Sequence, residues 1–180
     1  MDVFEAIAAR RSVRRYKPEP IPEESIGRIM EAARLAPSAG NRQPWRFVVT
    51  KDPGVRRALA RAANNQDFVG QAPAVITVLG DPEVSERWHM RDPMIAAEHM
   101  ALQAMEEGLG TCWIGAFDEA EVKRILKVPD KLRVVCLLPV GKPAEVPAGK
   151  PRRPMTELLF KDTYGNPYIT HSTTSGTEGL

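Results

Sequence analysis

Near the start of the chain, four arginines and one serine fall within six residues, Arg10-Arg11-Ser12-Val13-Arg14-Arg15. Guanidinium groups present planar, paired donors that suit phosphate and carboxylate oxygens. Such a density of donors is what a phosphate site needs, although a solvated basic turn would read the same way. A second stretch, Ala36-Pro37-Ser38-Ala39-Gly40-Asn41-Arg42-Gln43-Pro44-Trp45, mixes small residues with amides. Small residues let backbone approach a flat ligand closely. Ser38, Asn41 and Gln43 can hydrogen-bond to polar ring edges, or simply close an Asx-type turn between a helix and a strand. A third stretch, Lys150-Pro151-Arg152-Arg153-Pro154, sets cations on a backbone that proline keeps extended. A plain basic linker would look alike.

Other chemistries find little support. Ser12 and Ser38 have no evident histidine and acid partners for nucleophilic catalysis. Gly108-x-Gly110 lacks a third glycine, because Trp113 stands in its place, and it follows a helix, so a dinucleotide fold of its own is rejected. His89, His99 and His171 show no ligand spacing, and Cys112 and Cys136 lie far apart in apolar stretches. No metal site is expected, and both cysteines read as free core thiols in a reducing compartment. With no nucleophile–base pair, no single side chain is expected to be catalytic; a cofactor would carry the reaction.

These segments need elements to position them. Asp2 to Arg10 reads as a short capped helix with Val3, Phe4, Ile7 and Ala8 on one face. Pro22 opens a second helix that buries Ile26, Ile29, Met30 and Ala33 and stops at Pro37. Trp45–Thr50 reads as a strand, Asp52-Pro53 starts a helix to about Ala63, and Ala74–Leu79 is apolar throughout, as a central strand is. The helix from Pro93 to about Glu107 is apolar around most of its circumference, so it is expected at the centre or at an interface, with Met100 as an interface position. Thr111–Ile114 is a short strand, Asp118 caps a further helix, and Leu132–Val140 is the last strand. The order gives an α+β class with a mixed, largely antiparallel sheet flanked by helices.

The chain has 180 residues, 43% of them apolar and 27% charged, which fits one domain over 1–170 with a disordered polar tail at 171–180. A net charge of only +2 gives no case for nucleic acid. No apolar run is long enough for a bilayer and no targeting signal stands at the start, so a cytoplasmic protein with no membrane partner is expected.

Taken together, RRSVRRY, PSAGNRQPW, EEGLGTCWIGAFDEAEVKRIL, LLPVGKP and KPRRP, in that order over roughly Val3 to Phe160, resemble the nitroreductase family. The resemblance implies an FMN-dependent homodimer that uses NAD(P)H to reduce nitroaromatics, quinones or similar small acceptors by a ping-pong mechanism. It implies Arg10, Arg11, Ser12 and Arg14 at the phosphate and the pyrimidine side of the ring. Pro37, Ser38, Ala39 and Gly40 would come from the other subunit, with Asn41 and Gln43 supporting that loop or reaching the flavin. Asn65 would lie near the ring carbonyls, and Trp113, Ile114, Gly115 and Ala116 by the dimethylbenzene side and N5. Lys150 and Arg152, with Arg153 a close competitor, match the late phosphate-binding pair, on a C-terminal arm reaching the partner. The short connection from Gly80 to Pro93 departs from the family's longer one. Its Trp88 and His89 read either as a wall of the substrate pocket or as ordinary packing. Alternatives are a narrower reduction (dehalogenation, or an aldehyde or enone) and a non-enzymatic flavin carrier or redox sensor.

Overall fold

The computed structural model describes residues 2–168, so the expected tail at 171–180 lies outside the described residues. Four strands, β1 (Trp45–Thr50), β2 (Ala74–Gly80), β3 (Gly110–Thr111) and β4 (Arg133–Gly141), form one sheet in the order β1-β2-β4-β3. All three strand pairs are antiparallel, and the parallel contribution is a single bridge between Ser12 and Thr111. Side chains alternate between two cores, as a two-residue period requires. Ala74, Ile76 and Val78 face one cluster with Ile29, Met100 and Leu138, while Val75 and Leu79 face a second with Leu59, Val122 and Leu137. Covered on both faces, β2 is buried at every position, as its unbroken apolar run predicts.

The strand expected at Thr111–Ile114 is interrupted. Thr111 pairs with Val140 and Ile114 with Leu137, so the intervening register sets Cys112 opposite Pro139. Ile114 and Leu137 exchange both backbone bonds, and Pro139, two residues on, points the same way but has no N–H to return. The Tyr16 hydroxyl donates to the Pro139 carbonyl at 3.3 Å in the gap. Cys112 and Trp113 thereby leave the ladder.

Helices α2 (Glu23–Arg34) and α5 (Asp92–Glu106) pack on one face of the sheet, and α3 (Pro53–Ala62) and α6 (Glu119–Leu126) on the other. Ile26, Ile29 and Ala33 of α2 are buried as expected and Met30 is half-buried. Asp2 and Glu5 form a reciprocal capping box at α1 (Val3–Ala9). The apolar face of α1 is nevertheless open: Val3 is 74%, Phe4 77% and Ile7 54% exposed. On α5, Met94 and Ile95 are also exposed. Met100, expected at an interface, has no exposed surface and lies in this chain's own core, because small residues at 96, 97, 101 and 104 let α5 sit close against the sheet. A charge at Met100 would break the chain's own packing first. A short helix α4 (Asp67–Gln71) was not expected. No helix among the described residues is long and apolar enough to cross a membrane.

The chain divides into two compact units, 1–147 and 148–180. Within the second, residues 151–154 are exposed and lack regular structure, Met155–Glu157 makes one 3-10 turn, and Phe160 bridges Pro167. Leu158 and Phe160 remain exposed there.

Candidate functional site

Three segments meet at the β3 edge. The Val13 N–H donates to the Thr111 carbonyl at 2.9 Å, laying residues 12–13 along β3. This approach requires glycine at 110, where a Cβ would stand 2.4 Å from Val13 Cγ2. Gly141 likewise leaves room for Tyr16, whose ring carbon would lie 2.9 Å from a Cβ there. The third segment follows α3. Asn65 stands exposed in the left-handed region (φ 58°), just before α4. Phe68 of α4 lies beneath the Arg14 guanidinium, 5.9 Å from ring centroid to Cζ. The Asp118 N–H donates to the Ala62 carbonyl at 2.8 Å, tying the far end of the Trp113–Phe117 stretch to α3.

The arginines differ in what they do. Arg10 pairs through Nε with Glu98 of α5 at 3.2 Å. Arg11 turns back to donate to the Ala8 and Arg10 carbonyls, capping α1. Arg14 is exposed and donates to the Ser12 carbonyl at 3.5 Å. Among the described residues, neither Arg11 nor Arg14 pairs with a carboxylate. No atom lies within 4 Å of where a Cβ of Gly115 would stand, so its backbone is open to a flat ligand. The Arg14 guanidinium, without a carboxylate partner among the described residues, and the approachable backbone at Gly115 fit a phosphorylated, planar cofactor. The Cys112 thiol, in hydrogen-bonding contact with Ser12, is pushed up by burial, and so is the Tyr16 phenol. Both stay protonated at neutral pH, and neither serves as a nucleophile there.

The Pro37–Gln43 loop belongs to a second group of residues. Ser38 is extended, and Gly40, Asn41 and Gln43 all take positive φ (58°, 54° and 52°). The Ser38 hydroxyl accepts from the Gln43 N–H at 2.9 Å, and the Gln43 amide donates to both oxygens of Asn41. Asn41 and Gln43 therefore support the loop from within. Pro37 and Gly40 are exposed and Ala39 half-buried. The Ala39 N–H donates at 3.0 Å to the carboxylate of Asp92, which is 3% exposed. Sequence reasoning missed Asp92, whose only signal was an acid preceding a helix-starting proline. It also missed Phe68, which no motif marks.

Trp88 is 41% exposed and lines a cavity with Arg42 of the loop. His89 does not line it. Its Nδ1 lies 2.8 Å from the Glu86 carbonyl oxygen and 3.2 Å from that of Ser85, so the ring fastens its own turn. Lys150, Arg152 and Arg153 are exposed residues of the second compact unit.

Comparison with known proteins assigns the frame. A model described as the nitroreductase family matches residues 7–66 and 55–142. An NADH dehydrogenase of Thermus thermophilus is 30% identical over 196 residues, covering 89% of this chain and 96% of its own length. An FMN-dependent nitroreductase from Clostridium difficile superposes with a TM-score of 0.76 at 30% identity, covering 92% of this chain and 99% of its own. The NADPH:FMN oxidoreductase of Vibrio harveyi, solved with NAD+, superposes with a TM-score of 0.84 at 27% identity, covering 90% and 77%. With its motifs in family order and its sheet and helices superposing on those structures, the chain belongs to the nitroreductase family of FMN-dependent NAD(P)H oxidoreductases.

Proposed function

We propose that the chain works as a homodimer that binds FMN, takes electrons from NAD(P)H and passes them to a small acceptor such as a nitroaromatic or a quinone in a ping-pong cycle. The observation that carries this reading is the meeting of the Arg10–Arg14, Asn65–Phe68 and Gly110–Ala116 segments at one sheet edge, with Arg14 unpaired. Bound FMN supplies the two-electron chemistry. The chain's residues bind and orient. Arg14 faces the phosphate, and Arg10 and Arg11, held at Glu98 and at the α1 carbonyls, flank it on the same segment. Gly115 lets the ring approach the backbone. The motif order alone nominates Lys150, Arg152 and Arg153 as further cations for the phosphate.

The dimer is supported by uncovered apolar surface. Val3, Ala6, Ala32, Leu35 and Leu102 line a groove of about 310 Å³ between α1, α2 and α5. The apolar face of α1 adjoins it, and contiguous apolar surface of this kind marks an interface. A second copy of the chain covers it, and the Pro37–Gln43 loop of each copy then lines the flavin of the other.

The test is the absorption spectrum of the purified protein, with identification of the released flavin and assay of NAD(P)H oxidation with and without acceptor. A yellow dimer with one FMN per chain is expected, and Arg14→Ala should weaken FMN by roughly 1.5–3 kcal/mol, the worth of a hydrogen bond to a charged group. Protein that cannot be loaded with FMN overturns the proposal.

A further inference from the structure

Gly80 ends β2 hard against the next turn. A Cβ there would stand 1.9 Å from the His89 carbonyl oxygen. Between them the chain is closed by short-range bonds, from the Ser85 N–H to the Asp81 carbonyl (3.1 Å), the His89 N–H to the Ser85 carbonyl (2.9 Å) and the Asp92 N–H to the Trp88 carbonyl (2.9 Å). The His89 ring turns inward on the same frame. Out of it stands the indole of Trp88, with the Arg91 guanidinium 5.3 Å over the ring. An aromatic surface held outward on a fixed frame loses little freedom when a ligand stacks on it.

The charges around that ring are uneven. Residues 81–91 contain three carboxylates, Asp81, Glu83 and Glu86. Asp81 pairs with Arg46 at 3.6 Å and Glu83 with Lys131 at 2.6 Å. Glu86 lines a cavity of about 360 Å³ together with Arg42, Val84, Ser85, Arg87 and Trp88, so two cations and one carboxylate border it. The volume suits a small ligand. Arg42 folds across Gly40, bringing its charge from the Pro37–Gln43 loop.

We infer that this cavity is a subsite for a planar aromatic ligand bearing an anionic group. The ring lies against Trp88, and the carboxylate or phosphate lies between Arg42 and Arg87. The inference rests on the proposed function, which sets the loop beside the partner's flavin, and it names the substrate class. Two ligands offer this chemistry, an acidic aromatic acceptor and the phosphorylated adenosine end of NADPH.

The test uses the flavin-loaded dimer with Arg87→Gln and Trp88→Leu, both exposed positions that the fold does not need. Dissociation constants are measured by titration for 4-nitrobenzoate against nitrobenzene and for the non-reducing NADP+ against NAD+, and KM values by steady-state assay for the same acceptors and for NADPH against NADH. Arg87→Gln should weaken the anionic member of one pair roughly tenfold, the loss of one charge-assisted contact, and leave its neutral or unphosphorylated counterpart within about twofold. Trp88→Leu should weaken both members of that pair. Selectivity lost in the nitrobenzoate pair assigns the subsite to the acceptor, and selectivity lost in the NADPH pair assigns it to the donor. Flavin-replete variants that bind all four ligands as the unaltered protein does overturn the subsite. Protein that takes up no flavin fails the proposed function instead, and the same titrations run on the flavin-free protein and its two variants still decide the subsite.

Discussion

The Arg10–Tyr16 segment is laced to the sheet by backbone hydrogen bonds, whereas the Pro37–Gln43 loop hangs from side chains. Val13 donates to Thr111, Lys17 donates to Lys142, and Ala144 donates to the Arg15 carbonyl, each at 2.9 Å. The close approach is licensed by glycines at 110 and 141. The loop holds three residues in the left-handed region and is fastened by the Asp92 carboxylate and the Ser38 hydroxyl. A backbone ladder is indifferent to which side chain it carries, so the first segment can present any cation in a fixed place. A loop held by one carboxylate and one hydroxyl can be reshaped by a single substitution. The rigid half suits a group that never changes, a phosphate, and the adjustable half suits a wall that tunes what enters.

The sharpest way to break this division is to take one half away from each of two chains. Arg14→Ala should lose FMN through the laced half and Asp92→Ala through the loop. In the shared-site dimer, random exchange of the two variants makes half the dimers mixed. Each mixed dimer rebuilds one site with both halves intact, so about a quarter of all sites should recover FMN. Flavin absorbance before and after exchange reads this directly, and no recovery on mixing means that both halves of a site come from one chain. Next in size is Gly110→Ala. Its Cβ would meet Val13 Cβ at 2.8 Å as well as Cγ2, so the laced segment must shift, at roughly 1–3 kcal/mol. Gly115→Ala, with nothing in reach, should stay within about 0.5 kcal/mol in urea unfolding while weakening flavin.

Much of the frame is legible in the residues. The strand read at Trp45–Thr50 has those bounds in the structure, and β2 runs one residue past the expected Leu79. Both are decided locally, by β-branched runs closed off by proline, glycine or aspartate. Helix α4 was illegible because five residues including Gly70 are too short to display a helical period. The break after Thr111 depends on Pro139, 28 positions away, through a register that no local pattern reveals. At the site, the motif order nominated Arg14 and the Ser38–Gln43 loop, but gave no sign that Arg10 pairs with Glu98, nor that Asp92 holds Ala39 across 53 residues. Periodicity marked the apolar face of α1, yet it says nothing of what covers that face, and within this chain Phe4 stays uncovered.

Asp92 offers a finer cut at the loop. Asp92→Ala strands the half-buried Ala39 N–H, at about 1 kcal/mol, and frees a loop that already carries strained backbone. Asp92→Asn keeps an acceptor oxygen for Ala39. If fastening the loop is what matters, Asn restores most of the FMN affinity that Ala loses, and the flavin's visible band shape returns with it. A role confined to helix α5 stability would shift the melting temperature of both variants and leave the band shape of bound flavin unchanged.

The smallest effect concerns a side-chain fastening between α6 and the start of β4. Glu119 opens α6 and accepts from Arg133 through Nε at 2.9 Å and Nη2 at 3.0 Å, and from the Val134 N–H at 2.9 Å. The Arg133 guanidinium first, then the Val134 N–H, holds its carboxyl at about 2, against an ordinary value of 4.5. A carboxylate lowered by folding stabilises the fold fully above its unfolded value, and that contribution is lost as pH falls toward the folded value. Glu119→Gln cannot titrate but keeps an oxygen for Val134. The unaltered protein should therefore exceed the variant in stability above pH 4.5, by on the order of 1 kcal/mol or less because the pair is partly open to solvent. The gap should close between pH 4.5 and about 2. Unfolding curves of both proteins at several pH values measure it. FMN affinity near neutral pH should not differ between them, because the ladder from Val13 to Thr111 that holds the laced half contains no titrating group. A gap that is constant with pH would mean that Arg133 and Glu119 contribute by packing and not by charge.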